Sequence, residues 1–180
     1  MKIKLGVFFG GKSVEHEVSI ITALQAIENM NKEKYDIVPI YIAKDNKMYC
    51  GDFVDDIKQY TNIDNLKRIS TQVTLSLKDN KTVLLRTNKK FYENEVYDYI
   101  DVAFPIVHGT NVEDGTLQGY LKMFNLPYVG CDVTSSAVGM DKYVSKTILK
   151  ENNIPVLDCK CYYKNEEVED IIKSVEENID

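Results

Sequence analysis

Ile3-Lys4-Leu5-Gly6-Val7-Phe8-Phe9-Gly10-Gly11-Lys12-Ser13-Val14-Glu15-His16-Glu17-Val18-Ser19 is the stretch on which the reading of the fold turns. Its apolar run, residues 3–9, ends in two glycines and passes into a segment where Ile20, Ala23, Leu24 and Ile27 recur at i, i+3, i+4 and i+7. That spacing lines one face of a helix, expected over residues 15–29. The same order returns in Pro105-Ile106-Val107-His108-Gly109-Thr110-Asn111-Val112-Glu113-Asp114-Gly115-Thr116-Leu117-Gln118-Gly119. Here a strand over residues 101–107 closes on His108-Gly109 and leads to a helix over residues 114–125. Ligands of open α/β sheets bind beyond the carboxyl ends of the strands. Both glycine-bearing segments fall there, which makes them candidate halves of one site.

Working outward, residues 35–42 read as a second strand, rich in Ile, Val and Tyr. Residues 44–94 are polar and irregular and read as an insertion. It has a short helix near residues 54–60 and alternating runs at 72–77 and 82–86 that suggest a hairpin. A short strand over 127–130, a helix over 141–152, a strand over 156–163 and a helix over 166–178 follow. Alternating strands and helices predict an α/β fold with a mainly parallel sheet, Rossmann-like or flavodoxin-like. Gly115 and Gly119, at i and i+4, would let their helix pack closely on a neighbour. The βα unit starting near Val156 has no partner strand in the sequence and ends at Asp180 where another strand is due. The expectation is a fragment of a longer protein, cut inside its second domain.

Composition bounds the function. Of 180 residues, 44% are hydrophobic and 28% charged, which places the chain among soluble globular proteins rather than disordered or membrane-spanning ones. No apolar stretch approaches the ~18 residues of a membrane helix. The short apolar run of residues 3–9 turns directly into Gly-Gly, so it suits a first strand better than a secretory leader. A formal net charge of −6, without a Lys/Arg cluster, opposes nucleic-acid binding but not a small anionic ligand. Cys50, Cys131, Cys159 and Cys161 match no zinc or redox spacing and read as free thiols, in keeping with a cytoplasmic protein.

Three groups carry candidate chemistry. Ser13 is a plausible N-cap, which puts Glu15 in the first helical turn. The carboxylate there either complements the helix dipole or faces the strand ends and binds a cation such as an ammonium. A G-x-G-x-x-G fingerprint is absent, so dinucleotide binding is not indicated. His108, at a strand terminus, either makes a structural hydrogen bond, with Glu113 as the nearest candidate, or meets a ligand near Glu15. Lys142 is either a solvated lysine or one that reaches a phosphate from the start of the helix that Asp141 would cap.

Together these segments resemble the D-alanine–D-alanine ligase family of ATP-grasp enzymes. The match continues through Pro127-Tyr128-Val129-Gly130-Cys131, Ser135-Ser136-Ala137 and Met140-Asp141-Lys142, in the family's order. The resemblance implies an N-terminal α/β domain over residues 1–140, with residues 44–94 inserted, and over 141–180 the incomplete start of the ATP-grasp subdomain. It implies that Glu15 binds the ammonium of the first D-alanine, with Val18 lining that pocket and Ser19 supporting it. His108, oriented by Glu113, would lie beside the first D-alanine's carboxylate, and Lys142 would reach the phosphates of ATP.

Such ligases use ATP and Mg²⁺ to form an acyl phosphate, which the second D-alanine's amine attacks. The product is the D-Ala-D-Ala dipeptide of peptidoglycan. The Mg²⁺ ligands and the oxyanion arginine are expected outside this chain, so the chain alone is expected to be inactive. A homodimer through the N-terminal domain is the expected assembly. Val112 stands where the family often has glycine, and Lys122 where an acid is common. Alternatives are a D-Ala–D-Ser or D-Ala–D-lactate ligase, a non-catalytic α/β module binding an amino acid or partner, or a scaffold whose motifs serve packing alone.

Overall fold

The computed structural model describes residues 2–177, and the chain divides into two units, Met1–Met140 and Asp141–Asp180. The first is built on one sheet of β1 (Ile3–Gly10), β2 (Tyr35–Ile42), β3 (Met48–Cys50), β4 (Thr71–Lys78), β5 (Lys81–Arg86), β6 (Val96–Tyr99) and β7 (Val102–Ile106). Their spatial order is β6-β5-β4-β3-β2-β1-β7. The α/β class holds, but the sheet is mixed rather than mainly parallel. Only β2, β1 and β7 run parallel, and β3 to β6 continue outward from β2 as antiparallel neighbours. The physical reason lies in the connections. A tight turn, closed by Ala43 N–H donating to the Lys47 carbonyl (2.9 Å), joins β2 to β3, and so short a link permits only antiparallel pairing. Asp79 and Asn80 both take positive φ (51° and 59°), as a two-residue hairpin turn between β4 and β5 requires. The inserted residues therefore extend the sheet instead of hanging from it.

Four α-helices accompany this sheet among the described residues: α1 (His16–Asn29), α2 (Ile63–Ile69), α3 (Thr116–Met123) and α4 (Val133–Met140), with a 3-10 turn at Ile57–Thr61. The helix expected near residues 54–60 is met by that turn a few residues later. Strands β3 and β6 and helices α2 and α4 were too short or too weakly patterned to read. Tyr128 forms a single parallel bridge to Ala103 and extends the sheet only that far beyond β7. Val7 and Phe9 of β1 enter one core with Ile20, Ala23 and Ile27 of α1. Phe8, between them, enters the other with Leu117 and Leu121 of α3. That alternation is the two-residue period of a strand buried on both faces.

The sheet curls strongly. Lys4 of β1 bonds Asp98 of β6 at 2.9 Å, although β6 lies at the far edge of the strand order, and it also pairs with Asp36 of β2 at 2.9 Å. Burial alone would lower the ammonium's pKa, but the two carboxylates outweigh it and hold it above its ordinary value.

The second unit contains α5 (Lys142–Glu151) and α6 (Val168–Glu176). Residues 156–163 do not form the expected strand, because no neighbouring strand among the described residues pairs with them. The expected end of the last helix at Asn178 lies outside the described residues. All four cysteines are free, and burial in the core pushes the Cys50 thiol far above its usual range. Among the described residues no helix is long and apolar enough to cross a membrane.

Candidate functional site

Parallel pairing of β1 with β7, with Phe9 opposite Ile106, delivers both glycine-bearing segments to the same end of the sheet. The first turn is tied down on every side. Gly11 N–H donates to the Ile42 carbonyl (2.7 Å), and Gly10 N–H donates to Ser19 Oγ (2.8 Å). Ser19 Oγ in turn donates to the Ile106 carbonyl (2.7 Å), so this buried hydroxyl joins the ends of β1 and β7. The hydroxyl is a stitch between two strands.

Ser13 does not cap α1 directly. The helix begins at His16, with Glu15 as the flanking residue and no side-chain capping bond. Ser13 Oγ instead accepts from Glu15 N–H (3.1 Å), leaving the exposed Glu15 carboxylate outside the helix's own hydrogen bonding. Glu15, Val18, Ser19 and Thr22 stand at i, i+3, i+4 and i+7 on one side of α1. Val18 is half exposed beside Glu15, and Ser19 faces inward.

The second segment closes on the first. Gly109 has φ +82°, and a Cβ there would collide with Ser13 Oγ and lie 3.8 Å from Glu15 Cδ. Asn111 Nδ2 donates to the Lys12 carbonyl (3.0 Å), and buried Val112 packs on Gly11. Val112 therefore seals the space above the first turn.

His108 Nε2 lies 3.1 Å from Thr22 Oγ1. The expected Glu113–His108 bond is not formed. Glu113 Oε2 accepts from Gly109 N–H (2.7 Å), closing the loop one residue further on. Thr22 was missed from sequence, although its i+7 spacing from Glu15 was the available signal. Its hydroxyl reaches the Val18 carbonyl (3.0 Å) as well as the ring, so it can serve either His108 tautomer and leaves Nδ1 for a ligand.

Asn111 takes positive φ (67°) and donates its N–H to Asp114 (2.7 Å). Asp114 also accepts from Thr116 N–H (3.1 Å) at the start of α3. Burial would raise the Asp114 pKa, but these bonds outweigh it and hold it low. Gly115, φ +94°, packs on α4 so closely that a Cβ would stand 2.6 Å from the Val133 carbonyl. The close helix approach read from Gly115 and Gly119 is thus realised.

His16 was also passed over. It is 2% exposed, with Nδ1 bonded to the Gly11 carbonyl (2.6 Å) and Nε2 to Tyr41 OH (3.1 Å). Burial chiefly lowers its pKa; Lys44 and Lys67 add to this, and the Gly11 bond and Glu17 oppose it. The folded chain then binds fewer protons than the unfolded chain just below the ordinary histidine value of about 6.5. Stability should fall as pH drops through that value toward the lower folded-state pKa. Urea melts of wild type and His16→Asn between about pH 7 and 5 check this. The variant should lose part of the slope, and an identical slope would show that other groups carry it.

Lys142 belongs to the second unit, where it opens α5. Asp141 Oδ1 accepts there from the N–H groups of Tyr143 and Val144, both at 3.0 Å, and caps the helix as expected. Among the described residues no three His, Cys, Asp or Glu side chains cluster closely enough to hold a metal ion.

The family model "D-ala D-ala ligase N-terminus" matches residues 4–131. A D-alanine–D-alanine ligase of Thermosipho melanesiensis is 40% identical over 178 residues, covering 98% of this chain and 47% of the relative. The solved D-alanine–D-alanine ligase of Coxiella burnetii superposes with TM-score 0.82 at 32% identity, over 98% of this chain and 49% of that one. The VanG D-Ala:D-Ser ligase of Enterococcus faecalis gives TM-score 0.74 at 30% identity, over 99% and 50%. The chain spans about half the length of the relatives it matches.

Proposed function

From membership of the D-alanine–D-alanine ligase family, to which this chain belongs, we propose that it supplies the first-substrate side of an ATP-dependent ligase joining two D-alanines. The observation that carries the reading is the meeting of Glu15 and His108 at one sheet end, with Gly109 against Ser13 and Glu15 and Thr22 of α1 on the His108 ring. A carboxylate left free by the helix is suited to an ammonium group, and charge-assisted bonds of this kind are the strong ones. It also keeps the first amino acid's nitrogen protonated and hence non-nucleophilic, so that molecule reacts only through its carboxylate. His108 Nδ1 can donate to that carboxylate in the Nδ1–H tautomer, with Thr22 O–H then donating to Nε2. Val18 offers the apolar contact a methyl side chain needs.

ATP supplies the phosphoryl group that activates the carboxylate. In this chain Lys142, at the start of α5, is the group we assign to its phosphates. From the family resemblance we place the Mg²⁺ ligands outside this chain and assign it no metal step. Residues 141–180 are then the opening of the ATP-grasp subdomain, and the chain by itself is inactive. Cytoplasmic location, a role in peptidoglycan synthesis and a homodimer through the N-terminal domain follow as parts of the same proposal.

The similarity to a D-Ala:D-Ser ligase keeps the second substrate as a further variable. The test is phosphate release from ATP by the full-length protein, offered D-alanine alone and then D-alanine with D-serine or D-lactate. Turnover on D-alanine alone, with D-Ala-D-Ala as product, is expected. Turnover only with a second compound would move the chain to that ligase class, and D-alanine-independent behaviour throughout would overturn the ligase reading.

A further inference from the structure

The geometry points to His16 as a positioning residue for the ammonium-binding carboxylate, acting through the Gly10–Gly11 turn and never touching substrate. This rests on the reading of Glu15 above. The Gly11 carbonyl can only accept, so the 2.6 Å bond requires a proton on His16 Nδ1. In the neutral ring Nε2 is then a lone pair, and Tyr41 O–H donates into it at 3.1 Å. The tyrosine is held in its turn: it is 1% exposed, and its ring packs against those of Phe9, Tyr49 and Tyr60 and meets the imidazole edge-on at 5.6 Å.

Two hydrogen bonds lead from that ring to the candidate site. The Gly11 carbonyl also accepts from Ser13 N–H (3.0 Å), and Ser13 Oγ accepts from Glu15 N–H (3.1 Å). Ser13 Oγ is also the atom against which Gly109 packs. A displaced Gly11 carbonyl would therefore shift Ser13, the Glu15 backbone and the seat of the His108 loop together. A purely structural histidine would be replaceable by any side chain that fills the same space. This one is distinguished by the direction of its Nδ1–H.

The experiment compares His16→Asn, whose side-chain amide can donate to Gly11, with His16→Phe, which fills the niche without a donor. Glu15→Gln is the control, and all are measured in the full-length ligase. His16→Phe should raise the KM for the first D-alanine about tenfold, with the KM for ATP unchanged. His16→Asn should recover most of that loss, and Glu15→Gln should itself raise the D-alanine KM.

An unchanged D-alanine KM in His16→Phe, or equal damage to both KM values without rescue by asparagine, overturns the inference while leaving the ammonium site standing. An unchanged KM in Glu15→Gln overturns the ammonium reading itself, and this inference with it. Should His16→Phe fail to fold, the imidazole ¹⁵N resonances of the wild-type protein decide: protonated Nδ1 with bare Nε2 supports the assignment, and the opposite tautomer sinks it.

Discussion

Glu15→Ala in the full-length ligase is expected to raise the apparent KM for the first D-alanine about 100-fold, or roughly 2.7 kcal/mol of lost binding. An ammonium bound by a carboxylate loses both a charge partner and an acceptor when the side chain is truncated. Stability should barely move. Glu15 flanks α1 without capping it, and its side chain is exposed, so its removal belongs with surface changes of about ±0.5 kcal/mol. Michaelis curves at saturating ATP together with a thermal melt separate the two roles. Unchanged kinetics would reduce Glu15 to a charge near the positive end of a helix, leaving the fold intact. A lower Tm with proportionate loss of all kinetic constants would make it structural.

Gly10→Ala should produce the largest loss of stability, about 3–5 kcal/mol, the range of the severest single substitutions. At φ +90° an alanine is strained, and its Cβ would collide with the Ile42 carbonyl. That oxygen cannot retreat cheaply, because it accepts the Gly11 N–H bond on which the turn depends. Gly11→Ala, at φ +91°, meets the Val112 side chain instead, and a side chain can be cut back. The double variant Gly11→Ala/Val112→Ala should therefore recover part of the loss, with a coupling energy of about 1–2 kcal/mol. Gly10→Ala should gain nothing from Val112→Ala. Urea denaturation of the three single variants, the two double variants with Val112→Ala and the wild type measures both cycles. Equal rescue of both glycine variants would mean that Val112 does not seat on Gly11 as described.

Much of this was legible in the chain before any coordinates. Residues 5–9 and 102–107 are apolar without a charged residue, and such runs ahead of glycines and helical spacings have few solutions other than core strands. The hairpin of β4 and β5 was visible from its alternation, and α1, α3 and α5 from their three-and-four spacing. Failures cluster where local pattern carries little information. Strand β3 has three residues and β6 four, too few for a period to register. Residues 156–163 have a strand's composition but no partner strand, and composition cannot provide one.

The candidate site divides along the same line. Sequence alone determined which residue types stand at the ends of β1 and β7, because the Gly-Gly and His-Gly segments follow directly from strands whose burial is written in their apolarity. It also determined that α1 turns Ile20, Ala23, Leu24 and Ile27 to one side, because helical spacing is a local property. Only the tertiary structure decided the partners. His108 is held by Thr22 from a helix 86 positions away in the chain, Glu113 turns to Gly109, and His16 finds the Gly11 carbonyl and Tyr41. Hydrogen bonds are short and directional, so a partner is chosen by which backbone and side-chain atoms the packed core brings within about 3 Å. That choice depends on how β1, β7 and α1 meet, which no single segment encodes.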